Sequence, residues 1–243
     1  MRIIFFGSSH GLPERNRRCS SILFEAGENK YFIDMGTQSI ELLADRGINP
    51  QSVNAVFITH MHGDHTNGLV SFLDLLSWYY KSAEPQIFLP GDMEKTTSAL
   101  RGWLGANGTK MRDFRFSPVN EGVIFDDGVI KVTAFKTLHT DASFAYLVEG
   151  EGKRVLFGGD MCHKGPSEDF PTKVLDKPLD LAVCEAAHFS AMAYLPIFKD
   201  CENLKRLCFT HYLDKNLESI TEISKALSQT QVIRATDGFE IVV

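Results

Sequence analysis

The sequence predicts an α/β (α+β) fold, a four-layer αββα sandwich of two mixed β-sheets with helices on the outer faces. Three observations predict it. Short runs rich in β-branched and aromatic residues alternate with helical patterns along all 243 residues. The second half repeats the grammar of the first, a hairpin followed by strands with helical segments between them, which suits two stacked sheets. Histidines and aspartates fall where strands end, so loops at one edge of the sandwich would carry the chemistry.

In order, Arg2–Phe6 reads as a strand closed by the turn-forming run Gly7-Ser8-Ser9-His10-Gly11-Leu12-Pro13. Ser20–Glu25 and Lys30–Ile33 read as a hairpin about Gly27-Glu28-Asn29, and Asp34-Met35-Gly36-Thr37 closes its second strand. Gln38–Arg46 has helical spacing with Gly47 as its stop. Val53–Thr59 is a buried strand. Leu69–Tyr80, apolar nearly all round, reads as a buried helix, and its apolar face serves equally as a homodimer contact.

Gln86–Leu89 is a strand, Pro90-Gly91-Asp92 starts a helix towards Trp103, and glycine-rich Leu104–Lys110 reads as a mobile loop. Phe114–Phe135 reads as a meander. Phe144–Glu149 and Lys153–Phe157 form a second hairpin running into Gly158-Gly159-Asp160, an echo of Ile33-Asp34-Met35-Gly36. Strands over Leu179–Cys184 and Leu204–Thr210, an amphipathic helix over Leu217–Ser228, and strands over Gln231–Ala235 and Phe239–Val243 complete the chain. Nothing reads as a linker, so one domain over 1–243 is expected.

Val53–Gly68 is where this organisation converges. His60, His62, Asp64 and His65 stand just past a strand end. A His-x-His pair brings two imidazoles onto one ion, whereas Asp64 and His65 reach a second ion beside it. Such paired metals sit roughly 3.5–4 Å apart and act on one bridging water. Imidazoles with a carboxylate suit Zn, Mn, Fe or Ni better than Ca or Mg, which favour all-oxygen shells. His139, Asp160 and His211 are further ligand-type residues at strand ends.

A net charge of −6 argues against a dedicated nucleic-acid binder, although two divalent ions would add positive charge at the site. Five cysteines with no Cys-x-x-Cys pair read as reduced thiols. No stretch nears the ~18 apolar residues of a membrane helix. A cytoplasmic protein is the expectation.

The set His60-x-His62-x-Asp64-His65, His139, Asp160 in Gly-Gly-Asp and His211 in Phe-Thr-His resembles, in order, the metallo-β-lactamase fold superfamily. Gly7-Ser-Ser-His-Gly-Leu-Pro, Arg18-Cys-Ser-Ser, Glu121-Gly-Val-Ile-Phe-Asp-Asp and Cys184-Glu185-Ala186 resemble its ribonuclease Z group of phosphodiesterases. The resemblance implies two divalent ions, with zinc the leading choice. His60, His62 and His139 would hold one, Asp64, His65 and His211 the other, and Asp160 would bridge.

The implied activity is hydrolysis of a small phosphodiester or RNA-like substrate by a metal-bridging hydroxide. Asp64 would take the nucleophile's proton, and aspartate at 160 sets the chain apart from true β-lactamases. Two departures weigh against transfer RNA 3′-end processing. Only Gly150-Glu-Gly-Lys-Arg stands where the group inserts its RNA-clamping arm, and Cys184 replaces the histidine that assists the leaving group. His188 would substitute as general acid with Glu185 as its orienter, or else be satisfied by a backbone partner. Trp78, Tyr79 and Trp103 form either a base-stacking wall or core. Arg15, Arg17 and Arg18 either contact phosphate or line a solvated loop. His10 is a weaker site candidate, and His163 receives no role. A metal-binding scaffold without turnover, and a ribonuclease Z-type endonuclease lacking the arm, are the alternative readings.

Overall fold

The computed structural model describes residues 1–243. Its first half forms strands β1 (Arg2–Gly7), β2 (Ser21–Ala26) and β3 (Asn29–Met35), helix α1 (Ser39–Asp45), β4 (Val53–Phe57), α2 (Gly63–Trp78), β5 (Gln86–Leu89), α3 (Met93–Ala106) and β6 (Arg115–Pro118). The second half forms β7 (Gly122–Asp126), β8 (Ile130–Thr137), β9 (Ser143–Gly150), β10 (Lys153–Phe157), β11 (Leu181–Ala186), α4 (Leu195–Phe198), β12 (Arg206–Tyr212), α5 (Leu217–Ala226), β13 (Gln231–Arg234) and β14 (Glu240–Val242).

The strands make two seven-stranded sheets, ordered β14-β1-β2-β3-β4-β5-β6 and β13-β12-β11-β10-β9-β8-β7. Each half runs from an antiparallel hairpin, β2–β3 or β9–β10, into parallel strands reached by crossovers. The repeated grammar of the sequence is therefore a repeated topology. No helix is long and apolar enough to cross a membrane.

Burial on both faces explains why the strands read as unbroken apolar runs rather than as alternation. Along β1, Ile3 and Phe5 point between the sheets, while Ile4 and Phe6 point outwards beneath the helices. Phe24 meets Phe157 across the gap with ring centroids 5.6 Å apart, and Phe57 meets Phe125 at 5.4 Å. A second apolar layer lies under α1–α3 and a third under the helical segments of the second half. The order helix, sheet, sheet, helix follows.

Four expectations need correction. Helix α2 starts at Gly63, six residues before Leu69, and buries one stripe (His65, Leu69, Phe72, Leu73, Leu76) instead of its whole circumference. The charged and polar residues of the motif masked its first turn. Leu104 is buried in the last turn of α3, so only residues beyond Ala106 are loop. Strand β6 does not join a meander. It pairs parallel with β5 in the first sheet, and the chain crosses to the second sheet between Pro118 and Gly122. Arg17 is not solvated: its guanidinium lies 4.0 Å from the Tyr212 ring centroid, pairs with Glu14 and with Asp214 at 2.9 Å, and is buried.

Candidate metal centre

Four peptide segments bring the predicted side chains to one edge of the sandwich. The end of β4 delivers His60 and His62, and the first turn of α2 delivers Asp64 and His65. An acidic residue there complements the helix dipole. The turn after β8 delivers His139, the segment after β10 delivers Asp160, and the end of β12 delivers His211.

Close backbone packing fixes α2 on the sheet. A Cβ on Gly68 would stand 1.7 Å from the Thr37 carbonyl oxygen, and one on Gly36 would stand 1.7 Å from that of Asp64. His211 sits at φ 47°, where β12 slips register against β11 between Glu185 and Ala186. A non-glycine residue in that region is strained and calls for outside support. The N-terminal loop supplies it: His211 N donates to Ser8 O (2.9 Å), and the imidazole Nδ1 faces Ser9 O (3.1 Å).

All seven expected ligands converge. Donor atoms of His60, His62 and His139 lie within 4.8 Å of one another, as do those of Asp64, His65 and His211, and those of His60, His65 and Asp160. His62 Nδ1 and His139 Nε2 are 3.2 Å apart. Asp160 stands between the groups. Its Oδ2 is 3.1 Å from His211 Nε2, 3.7 Å from His139 Nε2 and 3.8 Å from His60 Nε2, while its Oδ1 is 3.5 Å from His65 Nε2. His60 Nε2, His65 Nε2 and Asp160 Oδ1 are buried without a hydrogen-bond partner. Orphaned buried polar atoms are costly, so three aimed at one point fit a site built for cations.

The charge states follow from this crowding. Burial pushes His60 down to about 2 and lowers His139, so both are neutral and free to coordinate. Burial also opposes the charge on His65, but Asp160 and Asp34 raise it well above the usual histidine range. Asp160 likewise outweighs burial at His211 and raises it. Asp64 and Asp160 are held below the ordinary carboxylate range despite burial, Asp64 chiefly by His65 and Asp160 chiefly by His211 and His65.

His188 also enters the site. Its Nδ1 lies 2.8 Å from Glu185 Oε2 and 3.9 Å from Asp160 Oδ2, and its ring packs edge-on against His139. The Glu185 hydrogen bond raises its pKa. Glu185 is buried and also accepts from the backbone amides of Met161, Ala187 and His188. Cys184, on the opposite face of β11, is buried in the outer core and cannot stand in for a general acid. His10 lies beside the centre, buried, with Nδ1 accepting from Leu12 N. His163 is exposed and belongs to none of the groups of converging donor atoms.

Trp78, Tyr79 and Trp103 are exposed by 52%, 74% and 66%, which removes the core reading. Trp78 and Trp103 line one groove between α2 and α3, about 630 Å³ in volume, with Asn67 also on its wall.

One participant had no role in the sequence reading. Asp34, at φ 57°, accepts from Thr59 N (2.7 Å) and Thr59 Oγ1, and its Oδ2 lies 2.7 Å from His65 Nδ1. It fixes which imidazole nitrogen faces the centre. Its only signal was the likeness of Ile33-Asp34-Met35-Gly36 to the Gly158-Gly159-Asp160 turn.

The family described as Anti-Pycsar protein Apyc1 matches residues 1–177. A ribonuclease Z of Geobacillus kaustophilus is 30% identical over 152 residues, 61% of this chain and 48% of that enzyme. The chain thus spans about half the length of this relative. Among solved structures, the metallo-β-lactamase fold protein YhfI of Bacillus subtilis superposes with a TM-score of 0.77 at 17% identity, over 99% of this chain and 98% of that one. The Zn(2+)-bound PqqB of Methylobacterium extorquens gives 0.69 at 15% identity, over 100% of both chains. The fold is the metallo-β-lactamase fold, and at least one such neighbour binds a divalent metal.

Proposed function

Because the chain belongs to the Anti-Pycsar protein Apyc1 family, with ribonuclease Z among its relatives, we propose that it is a metal-dependent phosphodiesterase acting on small phosphodiesters or RNA-like substrates. The observation that carries this reading is the convergence of His60, His62, His139, Asp64, His65, His211 and Asp160, three of them with orphaned donor atoms aimed inwards.

In this reading, His60, His62 and His139 would hold one divalent ion, Asp64, His65 and His211 would hold a second, and Asp160 would be available to both. Zinc is first among Zn, Mn, Fe and Ni, since it takes nitrogen and carboxylate donors and needs no geometry from d-electrons. Two such ions would supply Lewis acidity and an acidified water nucleophile. The chain's own groups do the rest. Asp64, held ionised chiefly by His65, would accept the proton of the attacking water. His188, kept protonated by Glu185 through Nδ1, offers Nε2 to the leaving-group oxygen. Glu185 fixes the direction of that ring because three backbone amides hold its carboxylate still.

An armless ribonuclease Z activity has less support, because β9 and β10 are joined by Glu151-Gly152 alone, leaving no place for an RNA-clamping insertion. Two of the three arginines near the site are also engaged, Arg17 by Glu14 and Asp214, and Arg18 by Asp237, while Arg15 is exposed. A single domain over 1–243 in the cytoplasm completes the proposal, in keeping with five free cysteines. A homodimer through α2 is part of it too: Trp78 leaves exposed apolar surface at the helix end.

The test is metal analysis with an activity screen of the reconstituted protein against bis(p-nitrophenyl) phosphate, cyclic nucleotides, RNA and precursor tRNA. Two ions per chain with diester turnover is the expected result. Two ions without turnover on any substrate would favour a scaffold, and precursor tRNA outpacing every small diester would favour the endonuclease.

A further inference from the structure

The residues after Asp160 belong to no helix or strand, yet their backbone is fully engaged. From the Asp160 carbonyl to the Cys162 carbonyl, every main-chain polar group has a partner. Asp160 O accepts from Thr137 Oγ1 (3.4 Å), and Met161 N donates to Glu185 Oε1 (2.8 Å). Met161 O lies 3.2 Å from His139 Nδ1, Cys162 N donates to Asp169 Oδ2 (2.6 Å), and Cys162 O accepts from Gly165 N (2.9 Å). Irregular backbone held this completely is a device for placing a side chain.

Asp169 differs from the other partners. Its second oxygen, Oδ1, accepts from Leu138 N at 2.6 Å, immediately before His139. One buried carboxylate therefore ties the turn that carries His139 to the segment that carries Asp160. Its own footing is firm: Asp169 N donates to Pro166 O, and neighbouring Phe170 packs against Tyr194 and Phe198 with centroids 6.3 and 5.1 Å away. No other side chain bonds to the backbone of both segments in this way.

We propose that Asp169 is a positioning residue that sets the spacing between His139 and Asp160, and through it the geometry of the ion pocket made by His60, His62 and His139. The proposal rests on the metal-centre reading above. It assigns Asp169 to one of the two pockets, whereas Asp34, bonded to His65, serves the other.

Asp169→Asn tests it, since the amide keeps one acceptor and turns the other into a donor facing an N–H. Co(II) is titrated into the metal-free protein and its absorption bands followed, then removed by a competing chelator. In Asp169→Asn the ion at His60, His62 and His139 should be held 10–100-fold more weakly, the usual cost of losing such a support, and the second ion, which shares only Asp160 with that pocket, should be weakened clearly less. Asp34→Asn should weaken the opposite ion, giving the complementary band.

Equal retention of both ions in Asp169→Asn overturns the proposal. So does equal loss of both together with a lowered melting temperature of the metal-free form, which would mark a staple of the fold alone. If Asp169→Asn does not fold, Asp169→Glu moves both oxygens by one methylene and should show a smaller loss at the same pocket; no loss there overturns the proposal. Unmodified protein that takes up no ion overturns the metal centre and this assignment with it.

Discussion

Replacing Glu185 by Gln should uncouple His188 from the site at a predictable cost. Glu185 accepts Met161 N through Oε1 (2.8 Å), Ala187 N (3.1 Å) and His188 N (3.0 Å) through Oε2, and touches His188 Nδ1 with both oxygens. An amide has one acceptor. With its oxygen in the Oε2 position, its NH2 confronts Met161 N–H; flipped, it confronts two amides. The better arrangement strands one buried donor, which costs about 1–3 kcal/mol. In a chain of this size that lowers the melting temperature by about 2–12 °C, given roughly 2–4 °C per kcal/mol.

The catalytic consequence has a definite sign. His188 has a raised pKa because Glu185 holds its charged form. Its stabilising contribution is full below the ordinary histidine value and is lost as pH rises through the raised one. A general acid is active while protonated, so in Glu185→Gln the alkaline limb of the kcat/KM profile should move to lower pH. Thermal melts and pH profiles on a diester with a poor leaving group measure both effects. An alkaline limb that stays in place while the melting temperature falls would refute His188 as the acid and leave Glu185 a purely structural anchor.

His188→Ala itself should lower kcat on poor leaving groups by about 10²–10⁴-fold, the usual worth of general acid catalysis, and leave bis(p-nitrophenyl) phosphate turnover far less affected; equal losses on both would refute the role. Acid should strip the two ions in order. His65 and His211, raised by Asp160, take protons before neutral His60 and His139 do, so metal content against falling pH should step down first from the Asp64, His65, His211 pocket, as histidine NMR signals would register. Gly68→Ala forces α2 off the Thr37 carbonyl; overpacking of this kind costs about 1–3 kcal/mol, and the displaced first turn should lower the number of bound ions per chain.

The sequence disclosed the site more readily than its supports. His60, His62, Asp64 and His65 are legible because they are contiguous, and His139, Asp160 and His211 because each follows an apolar strand. Asp34 accepts from residues 25 and 31 positions away, and Asp169 from one 31 positions away and one seven away, a role with no recognisable sequence pattern. Pairing between strands is equally non-local, which is why β6 read as part of a meander although its partner is β5. The burial of Arg17 depends on Tyr212 and Asp214, near the other end of the chain. The start of α2 stayed hidden because its first turn is given to ligands, and apolar periodicity reports only what packs.

The register slip at His211 makes chain length, more than residue identity, the vulnerable property of β12. Apolar exchanges at Leu207 or Phe209 keep every side chain on its own face of the sheet. Removing or adding one residue before the slip would swap the faces, sending the imidazole into the greasy interior and leaving a neighbour in its stead. A library of single-codon deletions and duplications across this strand should therefore be depleted of active members far more deeply than a substitution library at the same codons.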